Sequence, residues 1–260
     1  MKIGLSMLFI LGQPFPYLLR ELRKVEVENI ELVDDGSHAL NSRRTRALKG
    51  IAEDRGLQMT VHAPFADVNP ASSDHFLRRA ALRRLKKSIL LSSDLGAHLW
   101  TFHPGLQTGI SHFYPGLDWN LNLESVRELL GLSQQCGVKI AIENTPDPFP
   151  FLLKSVKDFL RFYESLGDAD LGLTLDVGHA NISGQVYEFI ESFPSRIAHA
   201  HLHDNLGDFD SHLGVGSGNI DWRKLINALR KIDYKGVLVV EAEKNVEESL
   251  EKLKMLLQSA

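Results

Sequence analysis

The sequence predicts an α/β protein, a single (β/α)8 TIM barrel over residues 1–260, and three observations carry that prediction. Eight short apolar runs of strand character alternate with amphipathic helical stretches at even spacing, and 260 residues is the length such a barrel needs. Connections from helix into strand are short, whereas those from strand into helix are long. The composition, 43% hydrophobic and 24% charged, excludes an extensively disordered chain. No low-complexity tract, compositional break or longer repeat marks a second domain. A doubly wound open sheet is the structural alternative, but it commonly stops at fewer strands and lacks this even spacing.

The strands are expected at residues 2–6, 29–33, 58–62, 99–103, 139–143, 171–176, 197–201 and 237–241. The first could be mistaken for a signal peptide, since Lys2 precedes an apolar stretch. Gly4 and Ser6 interrupt that stretch and Gly12-Gln13-Pro14 is no small-x-small cleavage site, so a first barrel strand is expected instead. The other runs are mostly apolar throughout, as strands of a parallel sheet buried on both faces must be. Helical periodicity follows at residues 75–95, 123–136, 156–166, 222–231 and 246–257. The short connections are Arg55-Gly56-Leu57, Gly96-Ala97, Gly137-Val138 and residues 233–236; the long ones are 63–73, 104–122, 144–155 and 202–221. Strand-to-helix loops build the C-terminal mouth of a barrel, where active sites lie. No apolar run approaches the ~18 residues of a membrane span, so a cytoplasmic protein without a membrane partner is expected.

A formal charge of −4 gives no support to a strongly basic nucleic-acid binder. The lone Cys136 excludes an internal disulfide and a thiolate zinc site. Eleven histidines beside that one cysteine are the unusual feature. Strand three ends on His62 (VHAPF), four on His103 (TFHPG) and five on Glu143 (IAIENTP). Strand six ends on Asp176 with His179 three residues on (LTLDVGHA), seven on His201 (AHAHLHDN) and eight on Glu241 (VLVVEAE); the loop after strand seven adds Asp210 and His212.

Taken singly, each has an ordinary explanation: a histidine bonded to backbone, a salt-bridged glutamate, an aspartate capping a helix, a solvated loop pair. Together they converge on one dry mouth, where an unpaired ionic group costs several kcal/mol and a shared cation satisfies several at once. Imidazole and carboxylate without thiolate suit a divalent ion such as Zn²⁺ or Mn²⁺. His199 and His203 share the alternation of His201 and are expected in supporting or structural roles; His38, His75, His98 and His112 are expected to be structural.

The ordered set HAPF, FHPG, IENTP, LDVGHAN, HLHDN, GSGNIDW and VVEAE resembles the xylose-isomerase-like barrel superfamily. That group contains sugar and sugar-phosphate isomerases or epimerases, and the endonuclease IV family of abasic-site nucleases. In the epimerase branch the resemblance implies one metal held by Glu143, Asp176, His201 and Glu241. Glu143 and Glu241 then exchange a proton beside the substrate carbonyl, a task expected to need a carboxylate pKa moved toward neutrality. His62, His103 and His179 are the expected substrate contacts. Tagatose-epimerase-like members carry an arginine about six residues past the strand-seven histidine, where this chain has Gly207.

In the nuclease branch the resemblance implies up to three zinc ions on His62, His103, Glu143, Asp176, His179, His201, Asp210, His212 and Glu241, all present. Where that branch reads Asp-Thr-Cys-His, this chain reads Asp176-Val177-Gly178-His179, and the stretch WNLNLES resembles uncharacterised sugar-phosphate isomerase relatives. The loop 104–122 has no Lys or Arg, and the basic runs Arg43-Arg44, Arg78-Arg79 and 83–87 fall on helices, where a solvated face is expected. The expectation is therefore a metal-dependent isomerase or epimerase of a sugar or sugar phosphate. The alternatives are a zinc-dependent abasic-site endonuclease, with DNA as partner, and a metal-retaining binding protein without turnover.

Overall fold

The computed structural model describes residues 1–259. Eight parallel strands form a closed barrel in chain order: β1 (Lys2–Ser6), β2 (Asn29–Val33), β3 (Gln58–His62), β4 (Leu99–Phe102), β5 (Lys139–Glu143), β6 (Gly172–Asp176), β7 (Ile197–Leu202) and β8 (Val237–Val240). β8 closes on β1 through Ile3–Leu238 and Leu5–Val240 pairing. Around them lie α1 (Phe15–Leu22), α2 (Ser42–Arg55), α3 (His75–Leu95), α4 (Leu117–Cys136), α5 (Val156–Leu166), α6 (Val177–Ile182), α7 (Val186–Ser192), α8 (Trp222–Lys231) and α9 (Val246–Gln258). The expected strands are all present, with ends moved by one residue at β4, β6, β7 and β8. No described helix is long and apolar enough to cross a membrane.

Period-two alternation sorts each strand into two faces. Ile30, Leu32, Val61, Trp100, Phe102, Ile142, Leu173, Leu175, Ala200 and Leu238 are all buried, packed in one apolar cluster with the buried faces of the helices. The intervening positions turn into the barrel: Glu31, Thr60, His62, Thr101, Glu143, Thr174, Asp176, His199 and His201. Thr101 and Thr174 hydrogen-bond across the interior at 2.7 Å. The lumen is thus polar at several levels, and every such group needs a partner inside it.

Two expectations change. α4 begins at Leu117 rather than near residue 123. Gly116, at φ 85°, turns the chain into the helix, and Asp118 and Asn122 face inward. Asp118 accepts from Thr108 N at 2.9 Å, and Asn122 from Gly105 N at 2.8 Å. Polar residues tying down a loop broke the apolar period that marks a helix. Within the basic run of α3, Arg84 is not on a solvated face: its guanidinium donates to the buried Asp34 carboxylate at 2.7 and 2.9 Å.

Candidate active site

The C-terminal mouth holds a cavity of about 340 Å³. Its floor is acidic and imidazole-rich; its walls are Leu8, Val33, Phe65, Pro146, Phe149 and Phe151. Among the described residues, no Lys or Arg lines it. A larger cleft of about 650 Å³ at the opposite end, against Lys139, Gly172 and Arg196, has no comparable convergence of acid, base and imidazole groups.

Glu143 is the hub. Its Oε2 lies 3.3 Å from His62 Nε2 and 3.4 Å from His103 Nε2, and its Oε1 lies 3.1 Å from His201 Nδ1. Glu241 Oε2 approaches the same His201 Nδ1 at 3.1 Å, and Asp176 Oδ2 at 3.9 Å. On the far side, His179 Nε2 and His212 Nε2 stand 3.2 and 3.5 Å from Asp210 Oδ2. All nine residues expected from the sequence therefore meet at one mouth.

Four donor groups can be distinguished among the described residues, with ligand atoms in each lying within 4.8 Å of one another. One, Glu31, His199 and His201, lies in the lumen beneath, and three lie at the mouth. Those three are His62, His103 and Glu143; Glu143, Asp176, His201 and Glu241; and His179, His203, Asp210 and His212. The side chains fit a cation. Glu143 Oε2 and Asp210 Oδ1 are buried without a hydrogen-bond partner, which in a dry site calls for a positive charge. Three of the histidines are also aimed. His62 Nδ1 donates to Ala63 O, His179 Nδ1 to Asn144 O and His212 Nδ1 to Glu241 O, each at 2.8 Å. Each Nε2 lone pair is thereby left facing the cluster, as in metal sites.

Without a cation, the carboxylates are balanced by imidazoles. Burial pushes His62 down, but Glu143 outweighs it by hydrogen bond and charge and holds the ring up at about 9. Burial likewise opposes, and Asp176 and Asp210 override, for His179, also at about 9. His212 is held at about 10 by Asp210 and Glu241 against its burial. His103 goes the other way, since burial there dominates over Glu143. The expectation of a carboxylate shifted toward neutrality is not met at Glu143. Burial pushes it up, but His201 and His103 more than reverse this and keep it well below the usual range. It is an ionised base.

Two residues were missed or undervalued. Glu31, fully buried in β2, sits beneath the cluster with Oε2 2.9 Å from His199 Nε2 and Oε1 3.0 Å from His201 Nε2. It lies mid-strand between Ile30 and Leu32, so it does not announce itself as a strand end; the even–odd register that puts it inside with Thr60 was the available signal. His203, expected in a supporting role, reaches the site itself. Its Nε2 is 3.1 Å from Asp176 Oδ1, and its ring stacks on His212 at 3.9 Å. Room for it comes from Gly178, where a Cβ would fall 2.0 Å from the His203 ring.

A polar lumen and an acid–imidazole cluster at the C-terminal mouth of an eight-stranded barrel define a barrel protein built for ligands at that end. The match to the family model described as xylose isomerase-like TIM barrel runs over residues 19–258, and the chain belongs to that family. It is similar to a solved structure titled as a D-tagatose 3-epimerase-like protein, with a TM-score of 0.93 and 28% identity over 100% of this chain and 98% of that one. It is also similar to a D-psicose 3-epimerase of Ruminiclostridium cellulolyticum, 25% identical over 87% of this chain and 78% of the relative. A probable endonuclease 4 of Mycobacterium leprae is 25% identical over 67% of this chain and 69% of the relative.

Proposed function

We propose that the chain is a divalent-metal-dependent isomerase or epimerase of a sugar or sugar-like polyol. One observation carries this reading: two carboxylates, Glu143 and Glu241, each stand 3.1 Å from the same His201 nitrogen at the floor of one small cavity. The likeness to proteins named as psicose and tagatose 3-epimerases supports it. A cavity of about 340 Å³ has the size of a monosaccharide site rather than a duplex groove.

Glu143, Asp176, His201 and Glu241 would hold a Zn²⁺ or Mn²⁺ ion. Such an ion supplies Lewis-acid polarisation of the substrate's carbonyl and hydroxyl oxygens. Glu143, kept ionised by its imidazole neighbours, removes the proton from the carbon beside the carbonyl. In an epimerisation Glu241 returns a proton to that carbon from the other face, and in an aldose–ketose isomerisation a proton goes instead to the neighbouring former carbonyl carbon. In the reverse direction the two glutamates exchange roles. His62, His103 and His179, which line the same cavity, orient substrate hydroxyls. Phe65 and Phe151, packed on His103 at 5.8 and 5.5 Å, keep water from the carbanion-like intermediate.

The test is a panel of ketoses and ketose phosphates incubated with metal-loaded protein and followed by chromatography. Epimer or aldose formation is expected, lowered about 10²-fold or more in Glu143→Gln and Glu241→Gln. Absence of any conversion across the panel with a bound ion present would sink the reading and leave a phosphodiesterase or a binding protein without turnover.

A second reading, a zinc-dependent phosphodiesterase acting on abasic DNA, is favoured by one observation: three donor groups stand side by side at the mouth, two of them sharing Glu143. Three zinc ions per chain with cleavage of an abasic duplex would support it. One ion per chain without cleavage would remove it. The cavity's lack of a cationic lining, among the described residues, favours the sugar reading, because phosphate backbones are held by Lys and Arg.

A further inference from the structure

We infer that Glu31 is a positioning residue for the metal centre: it holds His201 so that Nδ1, and no other atom of that ring, faces Glu143, Asp176 and Glu241. The inference rests on the proposed reading that those four residues hold a divalent ion.

His201 is aimed differently from its neighbours. His62, His179 and His212 each give Nδ1 to a backbone carbonyl and turn Nε2 to the cluster. His201 presents Nδ1 to the cluster, 3.1 Å from both glutamates, and its Nε2 points down the barrel axis into the lumen. No backbone carbonyl serves Nε2 there. It lies 3.0 Å from Glu31 Oε1 as a close charge contact, and among the described residues neither of these buried atoms has a hydrogen-bond partner.

Glu31 is itself fixed. Its Oε2 receives His199 Nε2 at 2.9 Å and the Thr60 hydroxyl at 3.4 Å, and its backbone is registered between Ser6 of β1 and Thr60 of β3. The spacing of His199 and His201 on one face of β7 lets one carboxylate meet both rings. A carboxylate behind a ligating imidazole does two things. It fixes the ring's orientation and the nitrogen that carries the hydrogen, and it makes the opposite nitrogen a stronger donor. A glutamate with only a packing role in β2 would not explain a carboxylate oxygen buried against an imidazole nitrogen, since burying that group without such a task is unfavourable.

The test compares metal-stripped wild type with Glu31→Leu and Glu31→Gln, titrating Mn²⁺ by calorimetry and recording the visible spectrum of the Co²⁺ form. Leu removes both acceptor oxygens, and its Kd for Mn²⁺ is expected to rise about 10–100-fold, with a changed Co²⁺ spectrum. Gln keeps one acceptor and is expected to fall between Leu and wild type. Melting of the metal-free forms identifies the folded fraction, and the Gln variant carries the test should Leu fail to fold. A purely structural role would lower melting temperature and leave Kd and spectrum of the folded protein unchanged; that result overturns the inference while the isomerase reading stands. Failure of wild type to bind Mn²⁺, Co²⁺ or Zn²⁺ would overturn both.

Discussion

Replacing Gly178 by Ala tests how tightly the third donor group is built. The added methyl would lie 2.0 Å from His203 Cε1 and 2.5 Å from both ring nitrogens, whereas ordinary contact begins near 3.4 Å. The ring must therefore retreat by about 1.4 Å, the difference between 3.4 and 2.0 Å. It has nowhere to go cheaply, because His203 is fully buried, bonded to Asp176 at 3.1 and 3.2 Å and stacked on His212. Overpacking of this kind costs about 1–3 kcal/mol. Losing a hydrogen bond to a charged partner adds roughly 1.5–3 kcal/mol. For a chain of this size each kcal/mol corresponds to about 2–4 °C, so Tm should fall by roughly 5–24 °C. Calorimetry of the metal-free protein measures it. A second substitution, His203→Asn, should restore much of the loss in the Gly178→Ala background, because the smaller side chain vacates the contested space. A Tm within about 2 °C of wild type in the single variant would refute the steric reasoning.

Two further outcomes are expected. His62, His179 and His212 have their pKa values raised from 6.5 to about 9, 9 and 10, so their stabilising contribution is complete below pH 6.5 and is lost as pH climbs through 9–10. Glu143 and Asp176, held low, contribute above the ordinary carboxylate range and lose that contribution as pH falls below it. Chelator-treated protein should therefore show its highest Tm between about pH 5 and 6.5 and a decline toward pH 10; a Tm that rises from pH 7 to 9.5 would contradict the assigned pairs. Asp35 accepts from Gly36 N at 2.7 Å, Phe65 N at 3.0 Å and Ala66 N at 2.9 Å, tying the loop after β3 to the end of β2. Asp35→Ala should free the Phe65 wall, raise KM more than it lowers kcat, and destabilise by about 2 kcal/mol; an unchanged KM in steady-state kinetics would count against it.

The barrel was legible because parallel strands buried on both faces leave uninterrupted apolar runs, and because polar residues ending those runs stand out against them. Glu143, Asp176 and Glu241 stand out in that way, and the structure brings them together. Glu31 does not, since in NIELVDD a single mid-strand carboxylate between apolar neighbours looks like an ordinary interruption. Only the register with β1 and β3 shows that it points at His201. His203 was undervalued for a related reason: its place depends on Gly178, a contact between segments 25 residues apart, by subtraction, that local pattern does not encode. The start of α4 was obscured by Asp118 and Asn122, whose polarity serves the neighbouring loop rather than solvent. Arg84 was read as surface charge because its partner, Asp34, lies on a distant strand end.

The central claim is that Glu143 and Glu241 move a proton on and off a carbon beside a carbonyl. Proton NMR of a converted ketose, incubated with metal-loaded protein in D₂O, tests it most directly. Deuterium is expected at the one carbon that gains a new C–H bond, and its incorporation should be abolished in Glu143→Gln and Glu241→Gln proteins that still bind the ion. Conversion of the sugar without solvent deuterium, or undiminished exchange in both variants, would contradict it.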